Sequence, residues 1–336
     1  MRNLFRSLCV GLCGFFAPLF SEELFNQELE KECLANIRQL TFPSMSFARA
    51  GEAYFSPDGR EILFQAVPLG QKSFQIFKMN IDEGIPVIVS TGKGACTCAY
   101  FRPDGKKIIF ASSHESPESE DRDQQSQGSS KYKWDLTPYM NIYEADPDGS
   151  NLRRLTSGPA YHAECSYSSD GSQIVYASNQ EGSMNIFICE ADGSNARQIT
   201  HTKDCYNGGP FFSPDDKQII FRSDREIPDY LQIYLIQSDG SSERPLTNNS
   251  AVNWAPYWHP NASVIAYTTS IHGHRHYEIY LLNIITGAEY RLTHNASFDG
   301  LPVFSPDGTK ILWTSKRGDN TSQIFIADFL MPENLH

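Results

Sequence analysis

One motif recurs six times in this chain and leaves little freedom for the fold. It reads YFSPDGREILFQA at Tyr54–Ala66, YFRPDGKKIIFAS at Tyr100–Ser112 and SYSSDGSQIVYAS at Ser166–Ser178. It returns as FFSPDDKQIIFRS at Phe211–Ser223, YWHPNASVIAYTT at Tyr257–Thr269 and VFSPDGTKILWTS at Val303–Ser315. The turn residues are Asp58, Asp104, Asp170, Asp215, Asn261 and Asp307, so all intervals but one are 45 or 46 residues. The exception, 66 residues from Asp104 to Asp170, places an insert at 113–139.

Each copy is a physical unit. Aromatic and β-branched residues lead into a Pro-Asp-Gly turn, and an alternating run such as Ile62-Leu63-Phe64 leads out. Pro presets φ for the turn, and Gly or Asn tolerates the positive φ that closes a hairpin. A third strand follows, as Gln75-Ile76-Phe77 or Asn185-Ile186-Phe187, then a turn and a fourth strand ending in Leu155-Thr156, Ile199-Thr200, Leu246-Thr247 or Leu292-Thr293. Four antiparallel strands in roughly 45 residues make a propeller blade. The expected class is therefore all-β, a six-bladed propeller. The sixth repeat stops near Asp328 without its Leu-Thr strand, and that strand stands at the other end as Ile37-Arg38-Gln39-Leu40-Thr41. Pairing the two closes the ring and removes two exposed edges.

These SPDG-x-x-I-x-F/Y/W repeats resemble the WD40-like (PD40) repeats of the TolB-type six-bladed propellers, from Ile37 to about Phe329. The resemblance does not include the α/β domain that the TolB family places before its propeller. It implies a scaffold shared by binding proteins, gates on peptidases and some polysaccharide lyases.

Around the propeller, residues 1–21 read as a signal peptide: Arg2 and Arg6 precede an apolar run from Leu8 to Phe20. That run, about 13 residues, falls short of the ~20 needed to span a bilayer. Residues 22–36 form a lead segment, 37–330 the propeller and 331–336 a tail. Export to the periplasm or medium is expected, as a monomer that is not an integral membrane protein. Six cysteines remain after the signal, Cys33, Cys96, Cys98, Cys165, Cys189 and Cys205. They serve equally as disulfide partners or as small buried residues. With 28 Lys+Arg against 40 Asp+Glu and no basic cluster, the chain lacks the face that nucleic acid requires.

The repeat phase also sorts residues by face. Pro-Asp-Gly turns lie on one face, the turn face; links between blades and loops between strands two and three lie on the other, the link face. His114, His162, His201, His272, His274, His276 and His294 all fall on the link face, with Trp254. Aligned eight positions before each turn residue are Ala50, Cys96, His162, Asn207, Asn253 and Asp299, expected as an outer ring at the channel mouth. Six positions before stand Glu52, Cys98, Glu164, Gly209, Ala255 and Leu301, expected as an inner ring. Their polar members converge on one axis in the manner of a propeller binding site. Trp134, in the aromatic end of the insert, and Trp254 are expected as apolar walls.

The leading expectation is a non-enzymatic envelope scaffold for a protein, peptide or glycan partner. His162, Glu164, Asp299, Glu52, Asn207, Asn253, Trp254 and Trp134 are its candidate ligand-binding residues. The alternative is a metal-assisted lyase or hydrolase on the same His-rich face. For it, His272, His274 and His276 are weak metal candidates, since alternating His can ligate on one side of an extended loop. No cofactor is otherwise called for, though the carboxylate excess suits a divalent cation at the mouth. No HExxH, Walker A, Rossmann glycine or GxSxG motif is present.

Overall fold

The computed structural model describes residues 28–116, 136–261, 263–318 and 320–335. The signal segment 1–21, Trp134 and most of the insert lie outside them. Six four-stranded antiparallel sheets form the ring of a six-bladed β-propeller. Blade six borrows its outermost strand from the N-terminal end: β1 (Leu34–Gln39) pairs with β24 (Gln323–Phe329). Blade one comprises β2 (Phe47–Phe55), β3 (Glu61–Pro68), β4 (Gln75–Asn80) and β5 (Pro86–Ile88). Blade two comprises β6 (Cys96–Phe101), β7 (Ile108–Ser112), β8 (Asn141–Ala145) and β9 (Arg153–Arg154). Blade three runs β10 (His162–Tyr167), β11 (Gln173–Ser178), β12 (Asn185–Glu190) and β13 (Arg197–Gln198). Blade four runs β14 (Asn207–Phe212), β15 (Gln218–Ser223), β16 (Gln232–Gln237) and β17 (Arg244–Pro245). Blade five holds β18 (Asn253–Trp258), β19 (Val264–Thr269), β20 (Glu278–Asn283) and β21 (Glu289–Arg291). Blade six adds β22 (Asp299–Phe304) and β23 (Lys310–Ser315).

The motif's last aromatic explains why each sheet holds together. Phe64, Phe110, Tyr176, Phe221, Tyr267 and Trp313 are none more than 2% exposed. Each faces an aromatic across the next strand, Phe77, Tyr143, Phe187, Tyr234, Tyr280 or Phe325, at 5.7–6.4 Å between centroids. Such pairs contribute about 0.5–1.5 kcal/mol beyond area burial.

A polar clasp ties the fourth strand to the third. The hydroxyl of Ser90, Thr156, Thr200, Thr247 or Thr293 accepts the main-chain N–H of Ile76, Ile142, Ile186, Ile233 or Ile279 at 2.8–2.9 Å. In blade six the hydroxyl comes from Thr41, which accepts Ile324 N–H at 2.9 Å and donates to Gln323 Oε1 at 2.8 Å. The N-terminal Leu-Thr thus performs in blade six the bond its counterparts make elsewhere.

The closing strand begins at Leu34, three residues before Ile37. Asn36 adopts a left-handed φ of 53° at an irregularity in the ladder, and its amide donates to Asp328 Oδ2 at 2.6 Å. Part of the lead is built in as well. Glu30, 2% exposed, accepts Arg317 Nη1 at 2.8 Å and the main-chain N–H of His294 at 2.7 Å. The tail returns Leu335 to the core, its carbonyl accepting from Asn283 Nδ2 at 3.1 Å. All six cysteines named above are free thiols, four of them buried. No helix among the described residues is long and apolar enough to cross a membrane.

Candidate functional site

Every inner strand breaks its ladder at the same place. The register shifts at Gly51/Ala53, Thr97/Tyr100, Ala163/Ser166, Gly208/Phe211, Trp254/Tyr257 and Gly300/Val303. Inside these bulges Glu52, Cys98, Glu164, Gly209, Ala255 and Leu301 all have φ between 47° and 57°. These are the six inner-ring residues of the repeat alignment. A left-handed non-glycine residue costs roughly 1–2 kcal/mol, and a bulge re-aims the side chain it carries. Four of the freed N–H groups are capped from the preceding blade. Glu52 N–H donates to Thr314 Oγ1 (3.0 Å), Cys98 N–H to Gln65 Oε1 (3.3 Å), Leu301 N–H to Thr268 Oγ1 (2.9 Å) and Gly209 N–H to Glu164 Oε2.

Glu164 is the hub. Tyr206 Oη donates to Glu164 Oε1 at 2.5 Å, and Arg222 Nη2 lies 3.2 Å from Glu164 Oε2, both charged side chains being 6% exposed. Arg222 also donates to Tyr206 Oη at 3.0 Å. Burial works against the Arg222 charge, but Glu164, Tyr206 and Glu52 more than offset it and hold the guanidinium ionised. Two glycines make the room: a Cβ on Gly208 would overlap the Tyr206 hydroxyl and Glu164, and one on Gly209 would overlap Arg222. Arg222 was not among the candidates from sequence. Its signal was there: β15 carries Arg where the other second strands carry Gln65, Ala111, Ala177, Thr268 and Thr314, opposite the one Gly-Gly inner strand.

Glu52 is half-buried on the same axis and accepts a hydrogen bond from Tyr54 Oη at 3.2 Å. Burial, then the neighbouring Glu164, pushes its carboxyl above the usual range. Burial, with Glu52 and Glu164 adding, holds the Cys98 thiol neutral, which disqualifies it as a nucleophile. Toward the turn face the axis is sealed. Tyr54, Tyr100, Phe211 and Tyr257 pack at 5.0–6.2 Å between centroids, and the Tyr100 and Tyr257 hydroxyls meet at 3.1 Å. The Glu52, Glu164 and Arg222 cluster therefore stands on the link-face side of an aromatic layer. On that side Trp254, Tyr277 and Phe298 lie 5.8–6.3 Å apart, and Arg222 stands 6.0 Å from the Trp254 ring.

The outer ring is placed differently. His162, Asn207, Asn253 and Asp299 are at most 2% exposed, and their bonds run into blade seams and strand ends. Asn207 Nδ2 donates to Met184 O at 2.8 Å, and Asn253 Nδ2 to Gln232 Oε1 at 2.9 Å, each reaching the preceding blade. Asp299 pairs with Arg317 at 2.5 Å. His162 Nδ1 meets Ser178 Oγ at 3.0 Å, and burial lowers its pKa, keeping the imidazole neutral. The axis brings together Glu52, Glu164 and, through Arg222, Trp254; it does not include these four. Trp134 lies outside the described residues. His272 and His274 are exposed and meet Tyr280 Oη at 2.9 Å and Tyr277 Oη at 3.3 Å, with His276 exposed beside them. Among the described residues no group of three or more His, Cys, Asp or Glu is placed to hold a metal ion.

A six-bladed ring of these repeats, with charged and aromatic side chains meeting on its axis, is a TolB-like propeller, a binding scaffold in general class. The chain matches the TolB beta propeller domain family (PD40) over residues 134–276 and 232–331, and it belongs to that family. The Tol-Pal system protein TolB of Francisella tularensis is 32% identical over 117 residues, covering 33% of this chain and 26% of that protein. The match thus spans about a quarter of the relative's length. A putative TolB structure from Agrobacterium tumefaciens aligns at a TM-score of 0.62 and 19% identity, covering 89% of this chain and 99% of that one. An oligogalacturonate lyase from Vibrio parahaemolyticus aligns at 0.55 and 14% identity, covering 89% and 94%. At these identities the two structures speak for the fold alone.

Proposed function

We propose that the protein is an exported scaffold of the cell envelope whose link face docks a protein or peptide partner. One observation carries this reading: exposed apolar side chains crown that face. Phe42 (40% exposed), Leu69 (61%), Tyr139 (52%), Ile227 (54%) and Ile271 (54%) stand on links and strand-two-to-three loops of different blades. A large apolar side chain on a loop gains nothing for the fold, whereas several on one face around a polar centre make an interface. Membership of the TolB propeller family and the N-terminal signal pattern support the same reading. A metal-assisted lyase reaction finds less support, because the described residues offer no ligand set for an ion. The test is photocrosslinking in cells from Leu69, Ile227 and Ile271, with turn-face Ile285 as control and cell fractionation in parallel. A specific adduct from the link-face positions, abolished by Ile227→Asp or Leu69→Asp, is expected. Equal adducts from Ile285, or retention in the cytoplasm, would refute it.

A further inference from the structure

Blades two and four share an acid on the link face but not the base that answers it. The third residue after the final Ser of the second strand is Glu115 in blade two and Glu226 in blade four, each beside the third-strand tyrosine, Tyr143 or Tyr234. Opposite that tyrosine the fourth strand carries Arg154 in blade two and Pro245 in blade four. In blade two acid and base meet, Arg154 Nη1 donating to Glu115 Oε2 at 2.6 Å. In blade four Glu226 accepts a hydrogen bond from Tyr234 Oη at 3.4 Å and makes no ion pair with any described residue. It lines a cavity of about 360 Å³ with exposed Ile227 and Pro245 as apolar walls and buried Tyr234, Gln232 and Thr247 behind them. The neighbouring Arg225 does not take the place of Arg154. Its guanidinium is paired with Glu243, donates to Asn207 Oδ1 at 2.7 Å and Ser223 Oγ at 3.0 Å, and lies 4.3 Å from the Tyr234 ring. Blade three repeats the acid as Glu181, but has Gly182 and Gln198 where blade four has its apolar walls.

Resting on the reading of the link face as the docking face, we infer that this blade-four cavity receives an arginine side chain of the partner, which restores the pair that Arg154 makes in blade two. The chain itself supplies the template for the occupant: the same acid, beside the same aromatic, already holds a guanidinium one third of the way round the ring. The planar fork of a guanidinium can reach Glu226 with one nitrogen and the Tyr234 hydroxyl with another, since that hydroxyl donates to Glu226 and keeps its lone pairs. The methylene stem lies against Ile227 and Pro245. An acidic or phosphorylated occupant would instead meet the Glu226 carboxylate. With 28 Lys+Arg against 40 Asp+Glu, the whole chain also attracts a basic partner.

The experiment uses N-propylguanidinium as an arginine side-chain probe on the full chain, followed by the methyl resonance of Ile227, assigned with Ile227→Val. Neutral n-propylurea, which has the same shape, and n-butylammonium are the comparison probes. The expected result is a saturable shift by propylguanidinium with affinity about threefold or more above that of either comparison probe, the scale of a partly exposed ion pair. Glu226→Gln should erase that preference at unchanged thermal midpoint, and Pro245→Arg, which rebuilds the blade-two pair within the chain, should abolish the response. Equal binding of propylguanidinium and propylurea, butylammonium binding as tightly as propylguanidinium, or indifference to both substitutions would overturn the inference. Crosslinks from Leu69 and Ile271 that persist unchanged in Pro245→Arg would remove this inference and leave the docking face standing. Guanidinium selectivity without such crosslinks would do the reverse.

Discussion

Thr41→Val isolates the closure of the ring in a single atom. The side chain is fully buried, and its hydroxyl makes two bonds, from Ile324 N–H at 2.9 Å and to Gln323 Oε1 at 2.8 Å. Valine is nearly isosteric, so packing is preserved while a buried amide N–H and a buried carbonyl oxygen lose their partner. Each orphaned group costs about 1–3 kcal/mol, which puts the substitution at roughly 2–6 kcal/mol. For a chain of this size 1 kcal/mol moves the midpoint by roughly 2 °C, so thermal unfolding should fall by about 4–12 °C. Thr41→Ser keeps the hydroxyl and should stay within about 2 °C, since Ser90 fills the same place in blade one. Thr200→Val removes the same bonds inside blade three, where strands adjoin in sequence. Circular-dichroism melts of all four proteins decide the matter. If Thr41→Val melts with the parent while Thr200→Val falls, β1 is not the strand that closes blade six.

Three further outcomes follow from the same geometry. Gly208→Ala should lower the melting midpoint and disturb Tyr206 fluorescence, because the new methyl overlaps the Tyr206 hydroxyl and Glu164; unchanged stability would mean the triad is looser than described. Arg222→Met strands a buried carboxylate and should cost about 3–5 kcal/mol in denaturant unfolding, much of it recovered by adding Glu164→Gln; no recovery would uncouple the two residues. Glu278 occupies the position held elsewhere by Gln75, Gln232 and Gln323, and burial, with Asp299 adding, pushes its carboxyl up to about 8. A folded-state value above the unfolded one means stability is lost as pH rises from about 4.5 to about 8. Glu278→Gln should therefore gain on the parent steadily over that window in pH-dependent melts, and parallel curves would contradict the shift.

The sequence carried the architecture because its signals are local and repeated. Pro-Asp-Gly turns fix the phase, the alternating strand fixes which aromatic is buried, and Leu-Thr marks the outermost strand, so even the borrowed strand of blade six was legible. The axis was legible only in part, because alternation fails there. Residues six and eight positions before the turn would share one side of an unbroken strand. The extra residue in each inner strand breaks that rule, and Asn207 turns to the blade-three seam while Glu164 engages Arg222 on the axis. Nothing in the local composition announces such a bulge. Glycine would, and only Gly209 supplies one.

That scarcity of glycine is informative. A left-handed position is the place where glycine relieves strain, and six equivalent positions give six occasions for it. The chain uses glycine once and otherwise holds Glu, Cys, Glu, Ala and Leu there, each at roughly 1–2 kcal/mol. The turns and clasps, which serve only the fold, stay nearly uniform from blade to blade. The bulge residue varies in charge, size and polarity while its backbone does not. Strain of this kind persists where surrounding structure over-determines it, and it gathers where a side chain must be presented. The caps from neighbouring blades supply the first condition. The second accounts for what Glu52 and Glu164 have in common: a backbone that costs stability and carboxylates delivered to the axis, with Arg222 set against both of them.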